Sequence, residues 1–250
     1  MQHKTHSALP KTLGIIGFGS FGQFISKHLV QYFDVYVTDK LDKTKEAIKC
    51  DVNYSELKEV VAKEILIICV PAQYMKSTLL QIKKDIQPNT LVLDVSSVKV
   101  KPIALMKKIL PSNVEIIGTH PLFGPQSGKN GIEGLNCVLC HDNTKRSMFV
   151  ARFLEDELKL NVLERSADTH DKQMAYVQAL THFVGRAVNE MDIPDVDQKT
   201  DAYQYLLNIK KNLGKDSFEL FKTIEIENPY AKSVREHFMR ELIKLHGLVE

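Results

Sequence analysis

The stretch "LGIIGFGSFG" at residues 13–22 decides the fold class of this sequence. A short apolar run leads into three glycines with the spacing G-x-G-x-x-G, and a helical pattern follows them. In this context Gly17 permits a tight turn, Gly19 lets a pyrophosphate approach the backbone, and Gly22 allows close helix–strand packing. The N-terminus of the helix then offers unpaired N–H groups to the phosphates. The stretch therefore predicts a dinucleotide-binding loop made of Gly17, Phe18, Gly19, Ser20, Phe21 and Gly22.

An acidic residue ends the next apolar run, "DVYVTD" at residues 34–39. In this fold a carboxylate at the position of Asp39 accepts hydrogen bonds from the adenosine ribose hydroxyls. Because a carboxylate repels the additional phosphate of NADP, Asp39 predicts NAD as the cofactor, with NADP possible since Lys40 lies beside it. The alternative is a set of ordinary turn glycines and a surface aspartate, but the combined spacing and context favour the dinucleotide site.

Short apolar runs alternate with amphipathic stretches from residue 12 to about 165. They are rich in Ile, Val and Leu, as strands buried on both faces of a parallel sheet should be. This alternation predicts an α/β fold, a doubly wound and mostly parallel Rossmann sheet in a dinucleotide-binding domain of residues 1–165. The strand candidates are residues 13–16, 34–39, 64–70, 89–95, 114–118 and 136–140.

The pattern changes after residue 165. Apolar residues recur at helical spacing over 167–191, 197–226 and 229–245, with Pro194 between the first two segments. We therefore expect an all-helical domain of residues 166–250 that binds substrate and mediates dimerisation. So small a helical domain carries more apolar surface than it can bury alone, which predicts a homodimer.

Charge and composition exclude several classes of partner. The 33 basic and 31 acidic residues leave a net charge of +2, which gives no electrostatic case for binding nucleic acid or a membrane surface. The N-terminal "MQHKTHSALPK" has no apolar core of the signal-peptide type, and no apolar run approaches the span of a bilayer. These features predict a cytoplasmic protein that acts on a small-molecule substrate.

The four cysteines are too few and too scattered for a disulfide framework. The segment "CVLCH" at residues 137–141 matches the short pattern for covalent haem attachment, but it reads as part of a buried strand. No second cysteine or histidine pair stands at zinc-ligand spacing. We expect no metal site, and we expect Cys137 and Cys140 to be core residues.

A histidine follows the strand candidate at residues 114–118, in "GTHPLFGPQSG" at 118–128. Pro121 biases His120 towards an extended backbone, and the glycines and prolines beyond it are too frequent for a strand or helix to continue. The pattern predicts a strand that delivers one imidazole into a loop.

Ligands of open parallel sheets bind beyond the carboxyl ends of the strands. The residues at those ends are Val70 and Pro71, Ser96 and Ser97, and His120. Histidine suits the removal of a hydroxyl proton while hydride leaves the same carbon, because its pKa lies near neutrality. His120 could instead only cap the loop backbone, but the convergence of strand ends on one cofactor favours catalysis. We expect Val70, Pro71 and Ser96 to contact the cofactor.

Several segments together resemble the prephenate/arogenate dehydrogenase family of tyrosine biosynthesis, most closely its arogenate-type branch. They are "GIIGFGSFG", "CVPAQ", "DVSSVK", "GTHPLFGPQSG", "HDKQMAYVQALTHFVGRA" and "DSFELF". The resemblance implies a homodimer built through the helical domain and an NAD(P)-dependent oxidative decarboxylation. It also implies that His120 accepts the hydroxyl proton, that Ser97 hydrogen-bonds the substrate hydroxyl or His120, and that His182 shapes the substrate site.

The sequence departs from the family pattern at one position. Family members commonly place a carboxylate-binding arginine in the helix after the one with His182, and our alignment puts Asn208 there. An anionic substrate still needs cations. The resemblance therefore implies that Arg186, Lys210 or Lys211 takes over this role, and we assign Arg186 to the substrate site.

Two alternatives stay open. A hydroxyacid or imine reductase can share this layout, although some of these enzymes use a lysine or aspartate of the helical domain, against which "GTHPLFGP" argues. A non-catalytic NAD-binding dimer that senses redox state would keep the glycine loop, but it would not need Ser97, His120 and His182 together. The sequence also leaves open whether the substrate is prephenate or arogenate.

Overall fold

The computed structural model describes residues 11–141, 145–213 and 217–250. The expectation that the N-terminal segment lacks a signal-peptide core falls on residues 1–10, which lie outside the described residues. The helical candidate at 197–226 and the segment "DSFELF" likewise include undescribed residues.

Eight strands form one sheet in the order β3-β2-β1-β4-β5-β6-β7-β8. Every neighbouring pair is parallel except β6 and β7, which are antiparallel. The predicted doubly wound, mostly parallel sheet is confirmed, and its strand order reverses at β1, where open α/β sheets bind their ligands. The strands are β1 Thr12–Ile16, β2 Asp34–Thr38, β3 Asn53–Tyr54, β4 Ile65–Ile68, β5 Leu91–Asp94, β6 Glu115–Pro121, β7 Asn136–Cys140 and β8 Asn161–Glu164.

Helices connect the strands except β6 and β7, which residues 122–135 join without a helix. Helices also make up the regular structure described after β8, which confirms the predicted helical C-terminal region. Three π-helical segments, Phe153–Glu157, Ala175–Leu180 and Thr223–Glu227, continue α-helices, and the second joins α7 to α8. The boundary between residues 165 and 166 stays a prediction. The α-helices are α1 Ser20–Leu29, α2 Thr44–Lys49, α3 Leu57–Val61, α4 Ala72–Ile82, α5 Val100–Ile109, α6 Lys145–Arg152, α7 Ala167–Met174, α8 Thr181–Glu190, α9 Asp201–Leu213, α10 Phe218–Lys222 and α11 Ala231–His246.

The central strands are covered on both faces. Successive residues of β4 alternate between two apolar clusters, with Ile65 and Ile67 in the cluster that includes α1 and Leu66 and Ile68 in the cluster that includes α4. This alternation follows from the two-residue period of a strand, and it explains why the central strands read as continuous apolar runs.

The structure corrects the prediction for His120. The strand β6 continues to Pro121, so His120 lies inside the sheet opposite Val138 and is not delivered into a loop. The physical reason is the antiparallel partner β7, because Leu122 donates its N–H to the Asn136 carbonyl at 2.9 Å and thereby prolongs the pairing past Pro121. The sequence predicted the strand at residues 136–140 but not its antiparallel pairing with β6.

The remaining strand predictions agree with the structure except at the sheet edges. All six predicted strands are present, and Cys137 and Cys140 are confirmed as core residues of β7, each 1% exposed. The sequence analysis missed β3 and β8, which are short edge strands with polar residues. Among the described residues, no helix is long and apolar enough to cross a membrane.

Candidate active site

The glycine loop has the backbone geometry that its spacing predicts. Gly17 has φ +97°, and a Cβ atom there would lie 2.6 Å from the Cys69 carbonyl oxygen. A Cβ atom at Gly22 would lie 2.3 Å from the Gly17 carbonyl oxygen, so α1 can pack closely only with glycine there. The Cβ direction of Gly19 points into open space. The loop therefore leaves room for a pyrophosphate where the fingerprint requires it.

Asp39 holds this loop in place. Its Oδ2 accepts a hydrogen bond from the Phe18 N–H at 2.7 Å, and its Oδ1 accepts one from the Leu41 N–H at 3.1 Å. Gly19 caps α1 without a side-chain hydrogen bond, so the N–H groups of the first turn stay available to an anion. Ser20 is exposed and Phe21 half-buried, whereas the Phe18 ring is fully buried, so Phe18 can meet a cofactor only through its backbone.

The other predicted cofactor residues follow neighbouring strands at the same edge of the sheet. Val70 is half-buried and Pro71 is exposed, and both follow β4. Ser96 and Ser97 follow β5. Ser96 donates its hydroxyl to the Val98 carbonyl at 2.9 Å and its N–H to the Asp94 carboxylate at 3.0 Å, which fixes the turn, while Ser97 is half-buried.

His120 belongs to a buried array that spans the two parts of the chain. Its Nδ1 lies 2.9 Å from His170 Nε2, and His170 Nδ1 lies 2.7 Å from Asp171 Oδ1. The three residues, called here the histidine array, are at most 3% exposed. The Asp171 carboxylate also accepts the N–H groups of Lys99 at 2.7 Å and Val100 at 2.9 Å, where α5 begins.

The surroundings of both histidines of the array favour the neutral imidazole. Burial lowers the pKa of His120 well below its usual range, and the nearby His170 and Lys99 lower it further. Burial also lowers the pKa of His170, although the hydrogen bond to Asp171 opposes this effect. A neutral imidazole has a lone pair, so His120 is in the protonation state that a proton acceptor requires.

A buried ion pair fixes the strand that carries His120. The side chains of Lys99 and Asp94 are fully buried and form a salt bridge, and Lys99 Nζ also donates to the Thr119 carbonyl at 2.7 Å. Thr119 precedes His120 in β6, so the pair ties the end of β5 to the strand that carries the histidine.

The predicted substrate residues lie farther along the helix that carries the array. His182 is half-buried and stands twelve residues after His170 in the sequence. Arg186 lies one turn beyond, and its guanidinium stacks on the rings of Phe218 at 4.8 Å and Phe221 at 5.2 Å. The histidine array thus meets this helical run at His170, twelve and sixteen residues before His182 and Arg186.

The lysines that we considered as substitutes for the missing arginine differ in their surroundings. Lys210 Nζ bonds Asp192 at 2.7 Å and the Ile193 carbonyl at 3.1 Å, which engages it within the protein. Lys211 is exposed, and Asn208 accepts a hydrogen bond from Gln204 at 3.1 Å.

The helical region is docked beside the site through polar contacts. Thr223 donates its hydroxyl to Gln73 Oε1 at 2.7 Å, and Asn228 donates its amide to the Asp171 carbonyl at 2.8 Å. Lys101 pairs with Glu227. These contacts join residues 223–228 to α4, α5 and α7 beside the array.

Sequence reasoning missed four buried polar residues of this site. His170 and Asp171 open a segment that we quoted only for the family resemblance, and Asp94 and Lys99 stand in or beside an apolar strand. The signal was a charged residue within the run "LVLD" and an adjacent histidine–aspartate pair at the start of a helix. Among the described residues, no group of three or more His, Cys, Asp or Glu side chains is placed to hold a metal ion.

The fold and the glycine loop define a dinucleotide-binding α/β protein with a helical C-terminal region. Residues 24–185 match the family described as "Prephenate dehydrogenase, nucleotide-binding domain", and residues 187–248 match one described as "TYRAAT1-like, C-terminal domain". The chain belongs to the prephenate dehydrogenase family. Since the first match begins after the glycine loop, the assignment of that loop rests on its geometry.

Two relatives from Arabidopsis thaliana support the same membership. Arogenate dehydrogenase 1, chloroplastic, is 34% identical over 90% of this chain and 37% of its own length. Arogenate dehydrogenase 2, chloroplastic, is 30% identical over 92% of this chain and 67% of its own length. The chain thus spans little more than a third of one relative and two thirds of the other, and the similarity supports the arogenate-type branch.

Two solved structures share the fold. Prephenate dehydrogenase from Aquifex aeolicus, in complex with hydroxyphenyl propionate and NAD+, superposes with a TM-score of 0.75 at 19% identity, covering 98% of this chain and 92% of that one. Synechocystis arogenate dehydrogenase superposes with a TM-score of 0.69 at 18% identity, covering 95% and 91%. At these identities the likeness shows the fold.

Proposed function

We propose that this protein catalyses the NAD-dependent oxidative decarboxylation of arogenate or prephenate in tyrosine biosynthesis. The supporting observation is a buried, neutral His120 at the sheet edge that also carries an open glycine loop. In the proposed reaction, hydride leaves the ring carbon that bears the hydroxyl while the opposite ring carboxylate departs as carbon dioxide. The ring becomes aromatic, which drives the reaction.

The residues present fit a bound NAD. The open space at Gly19 and the first turn of α1 would receive the pyrophosphate, and the Asp39 carboxylate would face the adenosine ribose. Val70, Pro71 and Ser96 would border the nicotinamide end. When bound, NAD supplies the hydride acceptor of the reaction.

The side chains of this protein would handle the proton and the substrate charge. His120 takes the hydroxyl proton as general base, and the Ser97 hydroxyl orients the same substrate hydroxyl. His182 and Arg186 would serve the far end of the substrate, where its side chain carries a carboxylate.

Arogenate is the substrate that we expect to be preferred. Both candidates carry two carboxylates, but the alanyl side chain of arogenate adds an ammonium group, so its net charge is smaller. The carboxylate-binding arginine is replaced by Asn208, and Lys210 is engaged with Asp192. A site with fewer free cations favours the less negative substrate, and the arogenate dehydrogenases among the relatives support this choice.

The decisive experiment follows NADH formation by the purified chain, supplied in turn with arogenate, prephenate and 3-hydroxyacids. We expect turnover with arogenate above that with prephenate. Turnover of 3-hydroxyacids alone would favour the alternative reductase class, and a folded protein that binds NAD but oxidises none of these compounds would favour the redox-sensing dimer. Either result contradicts the proposed function.

His120→Ala tests the proposed base within that assay. General-base catalysis contributes about 10²–10⁴-fold, so kcat should fall by that factor, or by roughly 3–5 kcal/mol of barrier. NAD affinity should change little, because His120 is assigned to the substrate. Wild-type turnover by a folded, NAD-binding variant would show that His120 is not the base.

We also propose a homodimer formed mainly through residues after about 165. The supporting observation is a set of large apolar side chains exposed on these helices, among them Tyr176, Val177, Ile243 and Leu245, each more than half exposed. Sedimentation equilibrium at micromolar concentrations should report about twice the 28.4 kDa chain mass. A monomer that persists at these concentrations would contradict the proposal.

We propose a cytoplasmic location on the composition of the chain, although the Arabidopsis relatives are named chloroplastic. Fractionation of source cells, followed by detection of the protein in each fraction, is the test.

A further inference from the structure

The histidine array contains more than a proton acceptor requires. A general base needs one imidazole with a free lone pair, yet His120 is bonded to a second buried histidine, which is bonded to a buried aspartate. Burying these polar groups is costly unless each hydrogen bond is satisfied. We therefore expect His170 and Asp171 to have a function of their own.

The direction of every hydrogen bond in the array follows from the aspartate. The Asp171 carboxylate accepts the N–H groups of Lys99 and Val100, so it acts as an acceptor and His170 Nδ1 must donate to it. Burial lowers the pKa of His170 and favours its neutral form, in which Nε2 carries the lone pair once Nδ1 donates to Asp171. His120 Nδ1 must donate to that lone pair, and the only basic nitrogen left on His120 is Nε2.

We propose that His170 and Asp171 are positioning residues that fix His120 in the tautomer with Nδ1 protonated and Nε2 basic. This inference rests on the proposed function, in which His120 is the base. When Nε2 takes the hydroxyl proton, the positive charge on the ring is stabilised through His170 by the Asp171 carboxylate. Asp171 also caps α5, so the element that follows Ser97 and the base are aligned by one side chain.

The first test is spectroscopic and needs no substrate. In protein labelled with ¹⁵N-histidine, long-range ¹⁵N–¹H correlation spectra should show His120 protonated at Nδ1, assigned by its loss in His120→Ala. His170→Leu should abolish this single tautomer, since the accepting nitrogen is gone. A wild-type His120 protonated at Nε2 would overturn the proposal.

The second test separates positioning from stability. His170→Leu should lower kcat at least about tenfold and change KM little, because the tautomer is lost while substrate contacts remain. His170→Gln should recover most of that loss, since its amide oxygen can accept the His120 proton. A glutamine variant as slow as the leucine variant would overturn the hydrogen-bond explanation.

The double variant His120→Ala/His170→Leu should be no slower than His120→Ala alone, because a residue that acts through the base has no effect without it. An additional loss in the double variant would overturn the proposal. Ser166→Ala is the matched control. Ser166 caps α7, the helix that carries His170, by accepting the Thr169 N–H at 3.1 Å, so its loss should lower the melting temperature without changing kcat.

The two sets of results distinguish the possible failures. If the tautomer is as stated but His120→Ala keeps wild-type turnover, the proposed function fails and the positioning of the ring stands. If His120→Ala is slow while His170→Leu is as fast as the wild type, the proposed function stands and the positioning role fails.

Discussion

The glycine loop and the histidine array lie at the same edge of the sheet, but they are built in opposite ways. The loop is made of six consecutive residues, and Asp39, which holds it, is 21 positions from Phe18. The array joins residues 50 positions apart, and its link to α5 spans 72 positions. The loop depends on backbone conformations that only glycine allows, whereas the array depends on buried polar groups that satisfy one another. The first kind of site can be recognised in a sequence, and the second is visible only in the fold.

The largest expected effect on the array side of this comparison comes from removing the buried cation of Lys99. Lys99→Met leaves the Asp94 carboxylate buried without its partner, which costs about 3–5 kcal/mol. We expect a large drop in the free energy of unfolding, measured by urea denaturation.

A matched double variant identifies the cause of that loss. In Lys99→Met/Asp94→Leu both charges are gone, so the double variant should be more stable than Lys99→Met. If the double variant is the less stable of the two, packing of the lysine stem is the larger contribution and the buried-charge explanation is wrong.

The fold was predictable to the extent that apolar patterning determines it. Both faces of β1, β4 and β5 are buried, so these strands stand out as continuous apolar runs. The edge strands β3 and β8 lack such runs, because pairing on one side is enough to hold them. The strand position of His120 also escaped prediction, since it depends on β7, which pairs with β6 from a distance in the sequence.

The site was predictable only where one residue type meets a local requirement. At Gly17 and Gly22 a side chain would collide with the backbone, and the glycine motif in the sequence reflects this limit. His170 and Asp171 look like surface residues of a helix in the sequence, and only the packing of α7 against β7 and α5 buries them. Buried polar networks are therefore difficult to predict from a single sequence, because tertiary packing decides which polar residues are buried.

Acid should destabilise the protein through the two histidines of the array. The pKa values of His120 and His170 are lowered from 6.5 in the folded protein, so the unfolded chain takes up protons first as the pH falls. Their contribution to stability is complete above about pH 6.5 and is lost below it, by up to about 1.4 kcal/mol per histidine for each pH unit. The melting temperature should therefore fall steadily between about pH 7 and pH 5.

If the array causes this fall of the melting temperature with falling pH, removing one of its histidines should make the fall smaller. His120→Gln should show a shallower fall, because one group that titrates in the unfolded chain is gone. His237→Gln, on the exposed surface of α11, should keep the wild-type slope. Equal slopes for all three proteins would assign the acid sensitivity to other groups.

The smallest expected effect tests the loop side of the comparison, through the choice of cofactor. Asp39 holds the Phe18 N–H and would face the adenosine ribose, where its negative charge repels the 2′-phosphate of NADP. A repulsion of about 1.4 kcal/mol gives a preference of about tenfold, so kcat/KM with NAD should exceed that with NADP by at least this factor. Asp39→Asn should narrow the ratio, and Lys40→Ala should widen it, because Lys40 is the adjacent cation that would favour the phosphate. The ratio is the proper measure, since Asp39→Asn also weakens the hold on the loop and lowers activity with both cofactors. If the wild type uses NADP as well as NAD, Asp39 has only its structural role at Phe18. The cofactor preference of the loop would then not be predictable from its sequence.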